Sequence, residues 1–391
     1  MNIAIFTDTY PPEINGVATS CANLRKTLLA HGHNVLLVTT NPFGNKISME
    51  DNILRLPGFA LKRLYGYRLA SPFNDEAMRY IVDFHPDVVH CQSDMGVGLL
   101  GSNVASKLHL GVIYTYHTLI EDYAYYVTKG HFDRAARQIV RGFYRQKLKG
   151  YDETIAPSDK ILDYLRSIGM DGNIAVIPTG IEFSRFSIEN EDKIKTASLK
   201  QQFGIAPNEY VILSLGRIAK EKSIDVLLRG YAKFLANHPS KPTKFVITGW
   251  GPAEEELKEL TLNLGLSDHV VFTGKVAPDQ TQLYYHLGDA FASASTTETQ
   301  GLTFMEAMAA SLIVLARYDD NLVGTIKDGE TGFFFLDEND FGKKLGQVIE
   351  LSKEGRNAIL TQAMDAIEPY SMEHFYQSIM EVYQRVIRRN W

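Results

Sequence analysis

Cysteine is almost missing from this chain: Cys21 and Cys91 are the only two among 391 residues. Two thiols build neither a disulfide framework nor a four-ligand zinc site, so the fold must rest on its apolar core. Long apolar runs are missing too. None reaches the roughly 18 residues of a membrane span, and the opening MNIAIFTDTY has no basic segment ahead of an apolar stretch. With the scarce thiols, these absences predict a cytoplasmic protein, soluble or peripheral on the inner face of the cell membrane. Positive charge is not in excess either. The net charge of −6 gives no whole-molecule field for nucleic acid. No GxxxxGK[ST] loop is present, which argues against an NTPase. No Asp-x-Asp pair or His/Cys cluster has metal-ligand spacing, so no protein-built metal site and no bound cofactor are expected.

What is present is ordinary globular material, 45% apolar and 22% charged, in a length that favours two domains over one core. Short β-rich runs alternate with helical patterns throughout, the signature of βαβ units and a parallel sheet. A first series lies at 2–6, 35–39, 88–91, 112–116, 154–156 and 174–177. A second lies at 211–215, 245–248, 270–273, 290–294, 313–316 and 333–335. The polar stretch from Gly180 to about Gly204 separates them and reads as a linker. The prediction is an α/β chain of two Rossmann-like, doubly wound domains, 1–180 and 181–370, with ligands at strand carboxyl ends in the cleft between them. The helical pattern 371–391 follows the second sheet and is expected to pack back onto the first domain.

Four stretches could carry chemistry. Thr296 to Met308 runs from a strand end through a turn into a helix, so the amides near Gly301, Leu302 and Thr303 become donors at a helix N-terminus, which attracts phosphate. Glu298 lies in that turn and Glu306 two helical turns on, although an isolated helix Glu is usually only a solvated carboxylate. Gly216-Arg217-Ile218-Ala219-Lys220-Glu221-Lys222 follows the first strand of the second domain and would set Arg217 and Lys222 over a diphosphate. Tyr10 to Val17 is the loop after the first strand, where Gly16 would let backbone approach a ligand. His117 ends a buried strand and could bond a sugar hydroxyl or stabilise developing charge. A lone His is more often structural. Gly96-Val97-Gly98-Leu99-Leu100-Gly101 fits the dinucleotide fingerprint, but it follows the third strand, so a small-residue helix packed on the sheet is the better reading.

Together these stretches resemble the family of GT-B glycosyltransferases that carry E-x7-E, glycosyltransferase family 4. Glu298 and Glu306 stand as its two glutamates, with the early Gly-rich turn and Gly216-Arg217 to Lys222 in the same order along the chain. Within the family, Thr296–Thr303, Arg217–Ile224, Arg317-Tyr318-Asp319-Asp320 and His117 with the Tyr123–Tyr126 cluster are most similar to the bacterial enzymes that glucosylate 1,2-diacylglycerol. The resemblance implies a UDP-glucose donor, transfer with retention and no required metal. It implies that Arg217 and Lys222 neutralise the leaving diphosphate, that Glu306 holds the ribose and that Glu298 touches the glucose. The amides of Gly301, Leu302 and Thr303 would hold phosphate and sugar, with Gly16 and Val276 beside the donor and His117 on the opposite wall. This chain reads Glu298-Thr299-Gln300-Gly301 where the commoner family turn is E-G-F-G.

A lipid acceptor requires contact with a bilayer. On a helix over 129–149, Arg134, Arg137, Arg141, Arg145 and Lys149 share one stripe, opposite Phe132, Ala136, Ile139 and Phe143. The loop 56–69 adds Lys62, Arg63 and Arg68 among Phe59, Leu61, Leu64, Tyr65 and Tyr67, a mixture suited to an anionic membrane surface. A charge run is more often simply a solvated face. The rival readings are the same donor chemistry on a phosphatidylinositol-type lipid or a soluble glycan, a non-enzymatic sugar-binding protein, and a dehydrogenase resting on Gly96–Gly101 alone.

Overall fold

The computed structural model describes residues 1–13, 15–61, 67–117, 142, 145–296, 298 and 300–390. The chain divides into two compact units, Met1–Gly180 with Met372–Trp391, and Ile181–Ser371.

The first unit is built on β1 (Asn2–Phe6), β2 (Asn34–Thr40), β3 (Ser48–Glu50), β4 (Ile53–Leu56), β7 (Val88–Cys91), β8 (Gly111–Thr115), β9 (Glu153–Ala156) and β10 (Ile174–Val176). Their order in the sheet is β10-β9-β8-β7-β1-β2-β4-β3. Only the β3–β4 pair is antiparallel among these ladders. Both faces of this sheet are covered, which is why its central strands are continuous apolar runs. Alternate residues divide between the faces. Ala4, Phe6, Leu36 and Val38 enter one core with Val97, Leu100 and Val104 of the helix Gly96–Leu108. Ile3, Ile5, Val35 and Leu37 enter the other with Leu24 and Leu28 of the helix Gly16–Ala30. The terminal helix Met372–Asn390 closes that second face through Phe375, Ile379, Val382, Tyr383 and Val386, spaced as one helical stripe.

The second unit holds β11 (Tyr210–Leu215), β12 (Thr243–Thr248), β13 (Val270–Gly274), β14 (Ala290–Ser293), β15 (Ile313–Arg317) and β16 (Phe333–Phe335), in the order β13-β12-β11-β14-β15-β16 and wholly parallel. Ile212, Phe245, Ile247 and Leu315 face one core, while Leu213, Val246, Phe291 and Val314 face the other.

Two segments differ from expectation. The stretch after Gly180 is no bare linker: it folds as the helices Phe183–Phe186 and Lys193–Gln202, and Ile181 and Phe186 join the second unit's core. The loop expected over 56–69 contains the antiparallel hairpin β5 (Gly58–Leu61) and β6 (Tyr67–Ala70), registered Gly58 to Ala70 and Leu61 to Tyr67.

Strand order fixes where ligands can enter. The chain leaves β1 for β2 on one side and returns to β7 on the other, and β11 stands in the same relation to β12 and β14. At such reversals the loops after adjacent strands diverge and open a crevice at their carboxyl ends.

Candidate active site

In the second unit, the loops after β11 and β14 bring together side chains far apart in sequence. Lys222 Nζ donates to Glu298 Oε1 at 2.5 Å, and Arg217 Nη2 donates to Glu221 Oε1. All four side chains stay partly exposed, between 18% and 32%. Each cation expected over a diphosphate is thus held by a carboxylate. The floor beneath is tight. The Ile218 amide donates to Trp250 O, and a Cβ on Gly249 (φ +139°) would lie 1.8 Å from Gly216 O, so only glycine fits there. Asn321 Nδ2 reaches back to Glu298 O at 3.3 Å and ties the turn to the segment after β15.

Gly301 is the N-cap of the helix Leu302–Ala309 with φ +80° and ψ +43°, and it offers no side chain to the first turn. The amides of Leu302 and Thr303 therefore have no helical carbonyl to bond and are open to an anion. A Cβ at Gly301 would meet Leu322 Cδ2 at 2.8 Å. Gly301→Ala is expected to lower unfolding stability by about 1–2 kcal/mol, read as a lower urea midpoint. An unchanged midpoint would contradict the left-handed turn.

Glu306 is no solvated carboxylate. Its Oε2 accepts from Tyr285 Oη at 2.8 Å, and burial raises its pKa to about 7, against the opposing pull of that hydrogen bond and of the Arg185 charge. Tyr285 and Arg185 belong to this environment, and nothing local in the sequence marks either. Val276 is a buried residue on the loop after β13, two strands from β11.

In the first unit, Gly16 opens its helix at the β1 carboxyl edge, capped by Asn15, whose Oδ1 accepts from Ala18 N at 2.8 Å. Among the described residues, a Cβ on Gly16 would meet nothing within 4 Å. The G-x-G-x-x-G helix is closed to a dinucleotide. Buried Asp8 already occupies its N-terminus, accepting from Val97 N at 2.8 Å, while Gly98 and Gly101 serve packing against Ser93 and Phe6. His117 follows β8 and bonds Gln92 Oε1 at 2.5 Å, and burial lowers its pKa to about 4 despite the opposing Asp94 charge. The imidazole is neutral at physiological pH.

Of the basic residues expected at a membrane, Lys62, Arg63, Arg134, Arg137 and Arg141 lie outside the described residues, as does the Tyr123–Tyr126 cluster. Arg145 and Lys149 are exposed. Arg68 donates to Gly58 O at 3.0 Å across the hairpin and to Asn45 Oδ1 at 3.3 Å, both neutral acceptors. No helix among the described residues is long and apolar enough to cross a membrane.

Comparison with known proteins matches this geometry to a family. Residues 14–185 match the model of Glycosyltransferase Family 4 and residues 195–363 that of Glycosyl transferases group 1. The chain is 34% identical to the α-monoglucosyldiacylglycerol synthase of Acholeplasma laidlawii, over 100% of this chain and 98% of that one. It is 35% identical to the enzyme of the same name from Streptococcus pneumoniae, over 100% of this chain and 87% of that one. HepE of Anabaena, solved with UDP and glucose, superposes with a TM-score of 0.71 at 18% identity, covering 98% of this chain and 100% of that one. With both halves matched and full-length relatives above 30% identity, this chain is a hexosyltransferase of the GT-B glycosyltransferase family that includes the α-monoglucosyldiacylglycerol synthases.

Proposed function

We propose that the protein transfers glucose from UDP-glucose to the 3-hydroxyl of 1,2-diacylglycerol, with retention, while docked on the cytoplasmic face of the membrane. The acceptor follows from the two full-length relatives, and the donor accords with the UDP and glucose bound to HepE. The observation that carries the donor chemistry is the β11/β14 crevice, where Arg217, Lys222 and Glu298 converge beside the open amides of the Leu302–Ala309 helix.

The residues divide the work as follows. Arg217 and Lys222 leave their carboxylate partners for the diphosphate and neutralise the charge that grows on it as the glycosidic bond breaks, the largest contribution to rate. The Leu302 and Thr303 amides and the backbone at Gly301 hold phosphate and sugar, with Val276 and Gly16 beside the donor. Glu298, released from Lys222, accepts from glucose hydroxyls, and Glu306 accepts from the ribose. Neither glutamate is a nucleophile, so the two-carboxylate logic of glycosidases does not apply. The acceptor oxygen attacks the anomeric carbon on the face the diphosphate leaves, and the leaving phosphate oxygen takes its proton. No step needs a metal. The first unit meets the acceptor, and Lys62, Arg63, Arg68, Arg134, Arg137, Arg141, Arg145 and Lys149 supply attraction to anionic lipid, each worth about 1 kcal/mol near such a surface.

The test is transfer of radiolabelled glucose from UDP-glucose into organic-extractable product, using diacylglycerol micelles with and without anionic lipid and with chelator present. Lipid-soluble α-glucoside that rises with anionic lipid is the expected result. Hydrolysis of UDP-glucose with no labelled lipid would leave the donor site standing and remove diacylglycerol as acceptor.

A further inference from the structure

A chain of hydrogen bonds runs through the first unit from the terminal helix to the candidate site. His90 on β7 is completely buried, its Nδ1 2.8 Å from the Tyr383 hydroxyl and its Nε2 3.0 Å from Gln92 Nε2. Gln92, 3% exposed in the loop after β7, presents its other amide end, Oε1, to His117 Nε2 at 2.5 Å. Tyr383 comes from the terminal helix, 293 residues from His90, and is also completely buried. None of these contacts is needed to complete a strand or a helix.

The amide of Gln92 gives the chain a direction. A carboxamide oxygen only accepts and its nitrogen only donates. The hydrogen on His117 is therefore on Nε2, and the lone pair of His90 is on Nε2, where it also takes the Thr115 hydroxyl at 2.7 Å. The hydrogen of His90 is then on Nδ1, donating to Tyr383. Reversing one ring alone would leave a buried donor facing a donor, which costs about 1–3 kcal/mol, so the members change orientation only together, with the Gln92 amide. Among the described residues, Gln92 is the only hydrogen-bond partner of His117, which leaves Nδ1 as an unused acceptor.

We infer that Gln92, held by His90 and Tyr383, is a positioning residue that locks His117 in its Nε2–H form, so that Nδ1 faces the bound substrates as a neutral acceptor for a hydroxyl. This rests on the reading that His117 contacts donor sugar or acceptor, and makes it specific: the ring neither donates a proton nor carries charge. The lowered pKa of His117, about 4, and of His90, about 3, fits a chain built for neutral rings. The charged groups nearby are balanced. Asp94, the carboxylate that pulls His117 upward, is itself engaged by Lys147 Nζ at 3.1 Å and by the Tyr114 hydroxyl. The terminal helix thereby gains a second task beyond covering the sheet, since its Tyr383 anchors the end of the chain remote from substrate.

The test reads the tautomer directly, through the Cδ2 resonances of protein labelled with 13C-histidine, beside transfer kinetics. The wild-type His117 signal is expected to stay in the Nε2–H form from pH 8 to pH 5. In Gln92→Leu it becomes a mixture of tautomers, and kcat falls about tenfold with an unchanged circular-dichroism spectrum. In Gln92→Glu, a carboxylate beside Nε2–H favours the imidazolium, so His117 titrates near neutrality and the rate acquires a matching pH dependence. Tyr383→Phe removes the anchor and keeps the ring, and produces the same mixing to a smaller degree. A His117 signal that is Nδ1–H, or that is identical in wild type and Gln92→Leu, overturns the inference. If the tautomer behaves as stated while His117→Ala transfers glucose at the wild-type rate, the lock stands and the contact of His117 with a sugar hydroxyl, expected from the sequence, is what fails.

Discussion

Lys222→Ala is expected to lower kcat for glucosyl transfer by about 10²–10³-fold, with a thermal midpoint close to that of the wild type. Lys222 ends the short 3-10 turn Lys220–Lys222, is 28% exposed and lies outside both cores of its unit. Its pair with Glu298 is partly solvated, and losing such a pair costs at most about 1 kcal/mol. Catalysis has more to lose, because the charge that develops on departing UDP must be met by groups already in place. Glu298→Ala separates the two halves of the pair. It also depresses transfer, because the sugar hydroxyls lose their acceptor, but it leaves Lys222 unneutralised, so UDP itself should inhibit more strongly. In Lys222→Ala, UDP should inhibit more weakly. Wild-type turnover in Lys222→Ala would sink the donor-site assignment, and parallel changes in UDP inhibition would show that the pair does not exchange with diphosphate.

The proposed donor residues are legible in the sequence because they are local: Arg217 to Lys222 span one loop, and Glu298 to Glu306 one turn and helix. The core strands were legible for a different reason. Burial on both faces forces β-branched runs such as Asn34–Thr40, which no amphipathic helix would use. The edge strand Ser48–Glu50 and its neighbour Ile53–Leu56 escaped because they are short, and β3 is exposed along its length. The helices after Gly180 escaped because Phe183–Phe186 is only four residues long and Lys193–Gln202 is polar, with Thr196 its one buried residue. What no local pattern announces is pairing across distance. Lys222 and Glu298 are 76 residues apart, Tyr285 and Glu306 are 21 apart, and His90 and Tyr383 are 293 apart. An isolated helix Glu is usually solvated, and Glu306 departs from that background because Tyr285 and Arg185 come to it from other segments.

That burial yields the second large effect, a donor affinity that depends on pH. Glu306 has a folded pKa of about 7, raised by burial from an ordinary value of 4.5, with the Tyr285 hydroxyl and the Arg185 charge pulling the other way. Below pH 7 the carboxyl is protonated and gives up part of its capacity to accept from a ribose diol. Above pH 7 it is a carboxylate, and hydrogen bonds to a charged acceptor exceed neutral ones by about 1 kcal/mol or more. The affinity for UDP-glucose, whose diphosphate does not titrate in this range, should therefore rise about fourfold between pH 6 and pH 8. Isothermal titration would measure it directly, and Glu306→Gln should bind weakly with no pH dependence. Stability of the ligand-free protein runs the opposite way. A carboxyl whose folded pKa lies above its unfolded value stabilises the fold while protonated, and that contribution is lost as pH climbs from 4.5 to 7. The thermal midpoint without ligand should thus fall over that interval, more steeply than in Glu306→Gln, and added UDP-glucose should recover most above pH 7. Donor affinity that is flat across pH 6–8 in the wild type would mean that Glu306 does not meet the ribose, whatever the midpoint does. A flat affinity together with a falling midpoint would keep its burial and remove its role in binding.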